Sequence, residues 1–208
     1  MIKITLPDGS VREFDSGVTP MEVAKSISEG FARNVISASF NGTIVETTTP
    51  LTTDGSLILY TWNDEDGKKA FWHSTSHVMA QVLEQMYPGI KLTLGPAIAN
   101  GFYYDVDFEE HKITEADFKK IEDRVLEISR GKHEFKLRPV SKADALELYK
   151  DNVYKTEMIT NLEDGTITFC DHDTFTDLCR GGHIPNTGII KAMKIMSVAG
   201  AYWRGDEK

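Results

Sequence analysis

Ile36-Ser37-Ala38-Ser39-Phe40-Asn41-Gly42-Thr43-Ile44-Val45 decides the fold of the first part of the chain. Two short β-prone runs flank Asn-Gly, the pair that most readily takes the two positive φ values of a type I′ turn. The stretch therefore reads as a hairpin. Upstream, Ile2 to Leu6 alternates apolar and polar, Pro7-Asp8-Gly9-Ser10 is turn chemistry, and Val11 to Phe14 is a returning strand. Between the two hairpins a helix start is written out. Thr19 is the N-cap, Pro20 takes the first helical position, and Glu22 follows three residues after the cap. That helix carries Met21, Ala24 and Ile27 on one side and stops at Gly30. Downstream, Asp54-Gly55-Ser56 leads into a last strand, Leu57 to Thr61. The order ββαβ(β)β predicts a small sheet wrapped on one helix, a β-grasp domain over residues 1–61.

Asn63-Asp64-Glu65-Asp66-Gly67-Lys68-Lys69 is polar throughout and reads as a linker. From Ala70 the pattern becomes helical: Phe71, Val78, Ala80, Val82, Leu83 and Met86 supply the apolar positions, and Pro88-Gly89 ends the element. Further on, Lys91 to Pro96 is a short strand and turn, and Gly101 to Asp107 is aromatic and strand-like. Thr114 with Asp117 starts a helix that runs to about Ser129. Phe135 to Val140 is a strand, and Ser141 caps another helix. Glu163-Asp164-Gly165 is a turn, and Ile189 to Ala199 reads as a buried strand with a turn at Gly200. Helices and strands mix without βαβ regularity, so the whole is α+β, with residues 62–208 as a second, larger α+β domain. There is no internal repeat and no low-complexity tract.

The chain has 208 residues, 40% of them hydrophobic, enough for one or two domains with a real core. Its apolar runs are too short to span a membrane, and the start lacks a secretion signal. Two cysteines, Cys170 and Cys179, in a chain this size suit free thiols in a reducing compartment. These features point to a cytoplasmic protein. The net charge of -9 argues against broad, non-specific nucleic-acid binding, which rests on Lys and Arg neutralising phosphates. A group of basic residues in mid-chain, among them Lys68, Lys119, Arg124 and Arg138, reads first as solvated helix faces.

The chemistry gathers in two distant motifs. His73-Ser74-Thr75-Ser76-His77 puts two imidazoles four residues apart on one helix face. Asp177-Leu178-Cys179-Arg180-Gly181-Gly182-His183 adds a thiol and a third imidazole at the same spacing. HxxxH with CxxxH is a fair zinc signal, weaker than paired CxxC motifs, and no Glu stands where a zincin protease needs one. A helix-face histidine pair of no function is a common alternative. Glycines in the second motif free the backbone to bring N–H groups against an anion or a carbonyl oxygen. For Cys179 an orienting role in a polar pocket ranks ahead of metal ligand and of nucleophile. Cys170 closes an apolar strand and is assigned to the core.

These residues resemble the N-terminal portion of bacterial threonyl-tRNA synthetases, over essentially the whole chain. The HSTSH stretch, LGPAIANGFYYD from Leu94 to Asp105, DLCRGGH and AGAYWRGD from Ala199 to Asp206 together carry the likeness. Residues 1–61 resemble the TGS domain, and residues from Trp62 onward resemble the domain that edits mischarged tRNA. The likeness implies hydrolysis of seryl-tRNA(Thr) to serine and tRNA(Thr). It implies catalytic roles for His73, Lys155, Cys179 and His183, with His77, Tyr104 and Asp177 binding substrate. His73 would position the terminal ribose and the water, Lys155 would stabilise charge at the ester carbonyl, and Asp177 would hold the serine amino group. Family members often carry proline where this chain has Gly182, which loosens the loop here. HxxxH with CxxxH is a zinc site in the alanyl-tRNA synthetase editing domain. The threonyl family is described as editing without a metal, so no cofactor is expected for editing.

The reason for editing is physical. Serine and threonine differ by one methyl, worth only ~1–3 kcal/mol of contact, or about 10–200-fold in discrimination. No Gly-rich phosphate loop and no class II activation motif is present, and the polar end, Arg204 to Lys208, reads as the edge of a fragment. The resemblance implies that ATP, magnesium and a further zinc belong to an aminoacylation core outside this sequence, and that the complete enzyme is a homodimer. Two other readings stand beside it: a non-enzymatic zinc- and RNA-binding regulatory piece, and a zinc-dependent trans-editing hydrolase of the alanyl type.

Overall fold

In the computed structural model, residues 1–200 are described. The first sixty or so residues fold as β1 (Ile2–Thr5), β2 (Val11–Phe14), α1 (Pro20–Ile27), α2 (Glu29–Ala32), β3 (Ser37–Phe40), β4 (Thr43–Val45) and β5 (Gly55–Tyr60). They form one sheet in the order β2-β1-β5-β3-β4. β1 and β5 run parallel, and the other neighbours are antiparallel. The Asn-Gly turn forms as read, with φ of 51° at Asn41 and 79° at Gly42. Thr19 caps α1 in a full capping box with Glu22. The helix stops earlier than Gly30. Ser28, extended and itself an N-cap, ends α1 and starts the single turn of α2. Ile4, Val23, Ala38 and Leu57 are sealed between sheet and helix. Ile4, Val23 and Leu57 each contribute about 1.5–3 kcal/mol of burial.

The stretch read as a linker is instead the start of α3 (Glu65–Met86), a 22-residue helix. Its polarity is that of a helix N-terminus: Glu65 and Asp66 sit where the helix dipole favours acids. Gly67 is buried there because a Cβ would stand 2.0 Å from the Thr61 carbonyl oxygen. The helix therefore starts hard against the end of β5, with Trp62 packed edge-on to Phe71 and Trp72.

α3 is the spine of the rest. After it come β6 (Lys91–Leu92), β7 (Ala97–Ile98), β8 (Gly101–Phe102) and β9 (Val106–Asp107), paired as two small antiparallel ladders, β6 with β9 and β7 with β8. α4 (Glu115–Arg130) lies along α3, and Val78, Val82, Ile121, Val125 and Ile128 form the core between them. β10 (Lys136–Pro139), β11 (Thr168–His172) and β12 (Phe175–Leu178) make a three-stranded antiparallel sheet. Between β10 and β11 lie α5 (Lys142–Leu148) and α6 (Val153–Thr160). The architecture is α+β.

The predicted strand from Ile189 to Ala199 does not form. A turn of 3₁₀ helix covers Thr187–Ile189, and the chain to Gly200 is irregular. Ile190 is buried, but Met196 and Val198 are exposed. The backbone N–H of Ile195 donates to Glu122 on α4 rather than to a strand. Residues 201–208, with most of the AGAYWRGD motif, lie outside the described residues. Of the mid-chain cations, Lys69, Lys119, Arg124 and Arg138 pair with acids, as solvated faces do.

Gly67→Ala forces α3 away from Thr61 and is expected to destabilise the fold by about 1–3 kcal/mol. A matching drop in the denaturant midpoint checks this.

Candidate active site

His73 and His77 project from α3 toward β12 and the loop that follows it. The loop is tied back to the helix where Ile184 N–H donates to Ser74 Oγ at 2.9 Å. The ligand atoms of His73, His77, Cys179 and His183 lie within 4.8 Å of one another. Cys179 Sγ is 3.1 Å from His73 Nε2 and 3.3 Å from His183 Nε2. The His183 ring is held between Phe135, stacked at 6°, and His73, stacked at 25°.

A second set of groups adjoins this cluster around Asp177, on β12 opposite Cys170. Lys155 Nζ donates to Asp177 Oδ1 at 2.5 Å, and Tyr104 Oη donates to Oδ2 at 2.8 Å. His77 Nδ1 is 3.2 Å from the same Oδ2, close enough for an ion pair but out of line for a hydrogen bond. Lys155 is only 2% exposed. Asn152 sets it there: its side chain caps α6 by accepting from the N–H of Tyr154 and Lys155, and donates to the Leu92 carbonyl. Tyr104 packs against Gly95, where a Cβ would meet its ring at 2.2 Å. All seven predicted site residues thus come together, six of them lining a cavity of about 450 Å³ that also reaches Arg180 and Gly181. His183 stands immediately behind Cys179.

The charges follow from these contacts. Burial pushes the Asp177 carboxyl up, but the Lys155 ammonium and His77 outweigh it and hold it well below the usual carboxylate range. Burial likewise opposes ionisation of Cys179. The surrounding imidazoles win and bring its thiol far down, while His183, against burial, is raised by Cys170, Cys179 and Glu46. Both shifts favour the charged forms, a thiolate beside an imidazolium. Burial lowers His73 and raises Tyr104, so the first stays neutral and the second keeps its proton.

The glycine loop meets anions, but they are the protein's own. Gly181 N–H donates to Cys179 Sγ at 3.3 Å, and the N–H groups of Gly182 and His183 donate to the Glu46 carboxylate. Glu46, from the segment after β4, had no signal in the sequence. Neither did the Tyr149 ring, 5.8 Å from Lys155 Nζ, nor Thr168, whose hydroxyl donates to the Cys179 carbonyl. Cys170 is buried in the core, with its sulfur 3.6 Å from His183 Nδ1.

The cluster also fits zinc. Tetrahedral imidazole and thiolate ligands stand roughly 3.3–3.6 Å apart, close to the Cys–His spacings here. Both buried ring nitrogens of His77 lack a hydrogen bond. His73, His77, Cys179 and His183 would be the ligands.

Comparison with known proteins sets the class. The TGS domain matches residues 2–61, and the threonyl and alanyl tRNA synthetase second additional domain matches residues 166–208. The second is tied to aminoacyl-tRNA editing. Among similar proteins are the threonine–tRNA ligases of Flavobacterium johnsoniae, 86% identical over 208 residues, and Flavobacterium psychrophilum, 84% identical, each covering 100% of this chain and 32% of the relative. That of Cytophaga hutchinsonii is 53% identical over 210 residues, with 33% of its length covered. The chain belongs to the threonyl-tRNA synthetase family. It spans about a third of the length of these relatives.

Behind the site, His172 is buried between Phe135 and Phe175 with neither ring nitrogen bonded. Burial, with His77 and His183 nearby, pushes its pKa down to about 3. Unfolded, it takes up a proton near pH 6.5, so between those values the unfolded state binds more protons and stability falls as pH falls. His172→Phe should flatten this part of the stability–pH curve, read by denaturant unfolding at pH 4 to 7.

Proposed function

We propose that the cavity hydrolyses the aminoacyl ester of seryl-tRNA(Thr), releasing serine and tRNA(Thr), and refuses threonine by steric overlap. The observation that carries this reading is a lysine–carboxylate pair, almost wholly buried, at the wall of a cavity that also holds His73, His77 and Cys179. A buried ion pair is a weak device for stability, so its position at a cavity favours a chemical use.

In the step, a water oxygen attacks the ester carbonyl carbon, the bond to the ribose oxygen breaks, and that oxygen leaves with a proton. Lys155 faces the charge that develops on the carbonyl oxygen. This is the role in which a fixed cation or donor acts most strongly, because little water is present to screen it. Asp177 keeps the ammonium of Lys155 in place and offers its negative field to the serine amino group. His73, neutral, positions the ribose and the water. Cys179 and His183 shape the floor and assist the water, and Tyr104 and His77 line the amino-acid end. The ester is labile, so positioning and charge suffice without a covalent intermediate. A volume of about 450 Å³ suits an aminoacylated terminal nucleoside better than an amino acid alone. The methyl is therefore sensed in one corner of the cavity, beside Tyr104 and Asp177.

The same reading divides the chain into a TGS-like domain, 1–61, and an editing domain, 62–208. It makes tRNA(Thr) the partner. It assigns ATP-dependent threonine ligation and homodimer formation to a complete cytoplasmic enzyme. A second reading, a zinc-dependent site, is favoured by the cluster's spacing alone. With three of the four side chains as ligands and the fourth position open, bound zinc would supply a polarised water there.

Deacylation by this chain tests the proposal: seryl-tRNA(Thr) hydrolysed, threonyl-tRNA(Thr) spared. His73→Ala and Lys155→Ala should each lower kcat by about 10²-fold. Lys155→Ala also strands Asp177 without its cation, so its rate is taken on the folded fraction. Wild-type rates in both variants overturn the assignment. Loss of activity with a chelator and stoichiometric zinc would move the reading to the metal site.

A further inference from the structure

We infer that Glu46, which belongs to the TGS-like part of the chain, is a positioning residue of the hydrolytic site: it keeps a proton on His183 Nδ1 and so turns Nε2 toward Cys179, which lines the cavity. The inference rests on the hydrolytic reading above and adds a requirement that the first sixty residues take part.

The argument begins with donors and acceptors. Glu46 Oε1 accepts from Gly182 N–H at 3.0 Å, and Oε2 accepts from His183 N–H at 3.1 Å. Backbone N–H groups can only donate, so both oxygens are committed as acceptors. His183 Nδ1 stands 2.9 Å from Oε1. Two acceptors would repel at that distance, so Nδ1 is the donor and carries hydrogen. Cys170 Sγ, 3.6 Å from the same nitrogen, is the weaker partner. With Nδ1 turned to Glu46, Nε2 is left at 3.3 Å from Cys179 Sγ.

The arrangement is built from both sides. Glu46 directly follows β4, and its side chain is only 10% exposed. Across from it, Gly181 and Gly182 have φ of +98° and +89°, a backbone that side chains rarely allow. That conformation aims successive N–H groups at the carboxylate. A Cβ on Gly182 would touch Ile44 of β4 at 3.4 Å, so the loop lies directly against the hairpin. Stacking between Phe135 and His73 fixes the plane of the His183 ring. What stacking leaves open is which edge of the ring faces the sulfur, and Glu46 settles it by accepting from Nδ1. A carboxylate behind a functional imidazole does this in many sites, and losing such a partner typically costs about 10–100-fold.

The competing view is that Glu46 only docks the two parts of the chain. It is separated by Glu46→Gln, which keeps the size but places an NH₂ group against one of the N–H donors. Steady-state deacylation of seryl-tRNA(Thr) and ¹⁵N NMR of the histidine rings are measured on this chain, with circular dichroism as the control for folding. The positioning role predicts a kcat lower by about 10-fold or more, KM within about twofold, and loss of the proton signature at His183 Nδ1. A folded Glu46→Gln with wild-type kcat, or with Nδ1 still protonated as in the wild type, overturns it. Should that variant not fold, Glu46→Asp carries the test. It keeps the charge but draws it back by one methylene, so reduced kcat at unchanged KM supports the role and wild-type kcat overturns it. If the wild-type chain shows no deacylation, the hydrolytic reading fails. The NMR comparison then still decides whether Glu46 governs His183.

Discussion

One buried carboxylate, Asp177, fixes the relation between four distant stretches of chain. It receives Lys155 from α6, Tyr104 from the segment between β8 and β9, and the close approach of His77 from α3, while sitting itself on β12. Two charges taken out of water are tolerated only when geometry and extra hydrogen bonds compensate for lost solvation. Here the tyrosine hydroxyl supplies the extra bond. Removing Lys155 or Asp177 leaves the other charge buried without its partner, so the positions of α6 and β12 depend on each other. The same condition is what a reactive site needs: a cation held still, with little water around it, before a substrate arrives.

The cluster of His73, His77, Cys179 and His183 extends this polar interior on the other side. Its electrostatics are self-contained. Cys179 and His183 face each other, and the loop N–H groups turn to Cys179 and Glu46 rather than outward. Of the polar groups that line the cavity, His73 is a neutral ring and Tyr104 a proton-bearing hydroxyl, beside Lys155, Asp177, Cys179 and Arg180. Such a set suits orientation of a substrate and a water better than covalent attack, because the sulfur is already engaged by two imidazoles, His73 and His183, and by the Gly181 N–H.

Several elements differ from their reading in sequence, each for a tertiary reason. Residues 63–69 look like a linker because they are polar, yet Asp64 to Asp66 are the acidic first turn of α3, and Gly67 is there for close packing on Thr61. Ile189 to Ala199 looks like a strand because it is apolar, yet among the described residues it pairs with no strand, and its apolar residues are divided between core and surface. α6 was not visible at all. Its apolar positions lack a helical stripe, and the helix depends on Asn152 as cap and on the pocket that receives Lys155.

What the sequence by itself determined is everything governed by near neighbours. The Asn-Gly hairpin, the capping box at Thr19 and Glu22, the paired imidazoles on one helix face and the four stretches that carry the family likeness are each set by near neighbours in sequence. Tertiary structure alone decided what depends on partners far along the chain. A lysine reads as surface in any sequence, and only the carboxylate at position 177 makes burial of Lys155 tolerable. A glutamate after a hairpin reads as solvated, and only two glycines with positive φ, more than a hundred residues later, give Glu46 its donors. Local preferences act through the backbone's own geometry, whereas the ionisation and hydrogen bonding of a side chain depend on whatever the completed fold brings within about three ångströms of it.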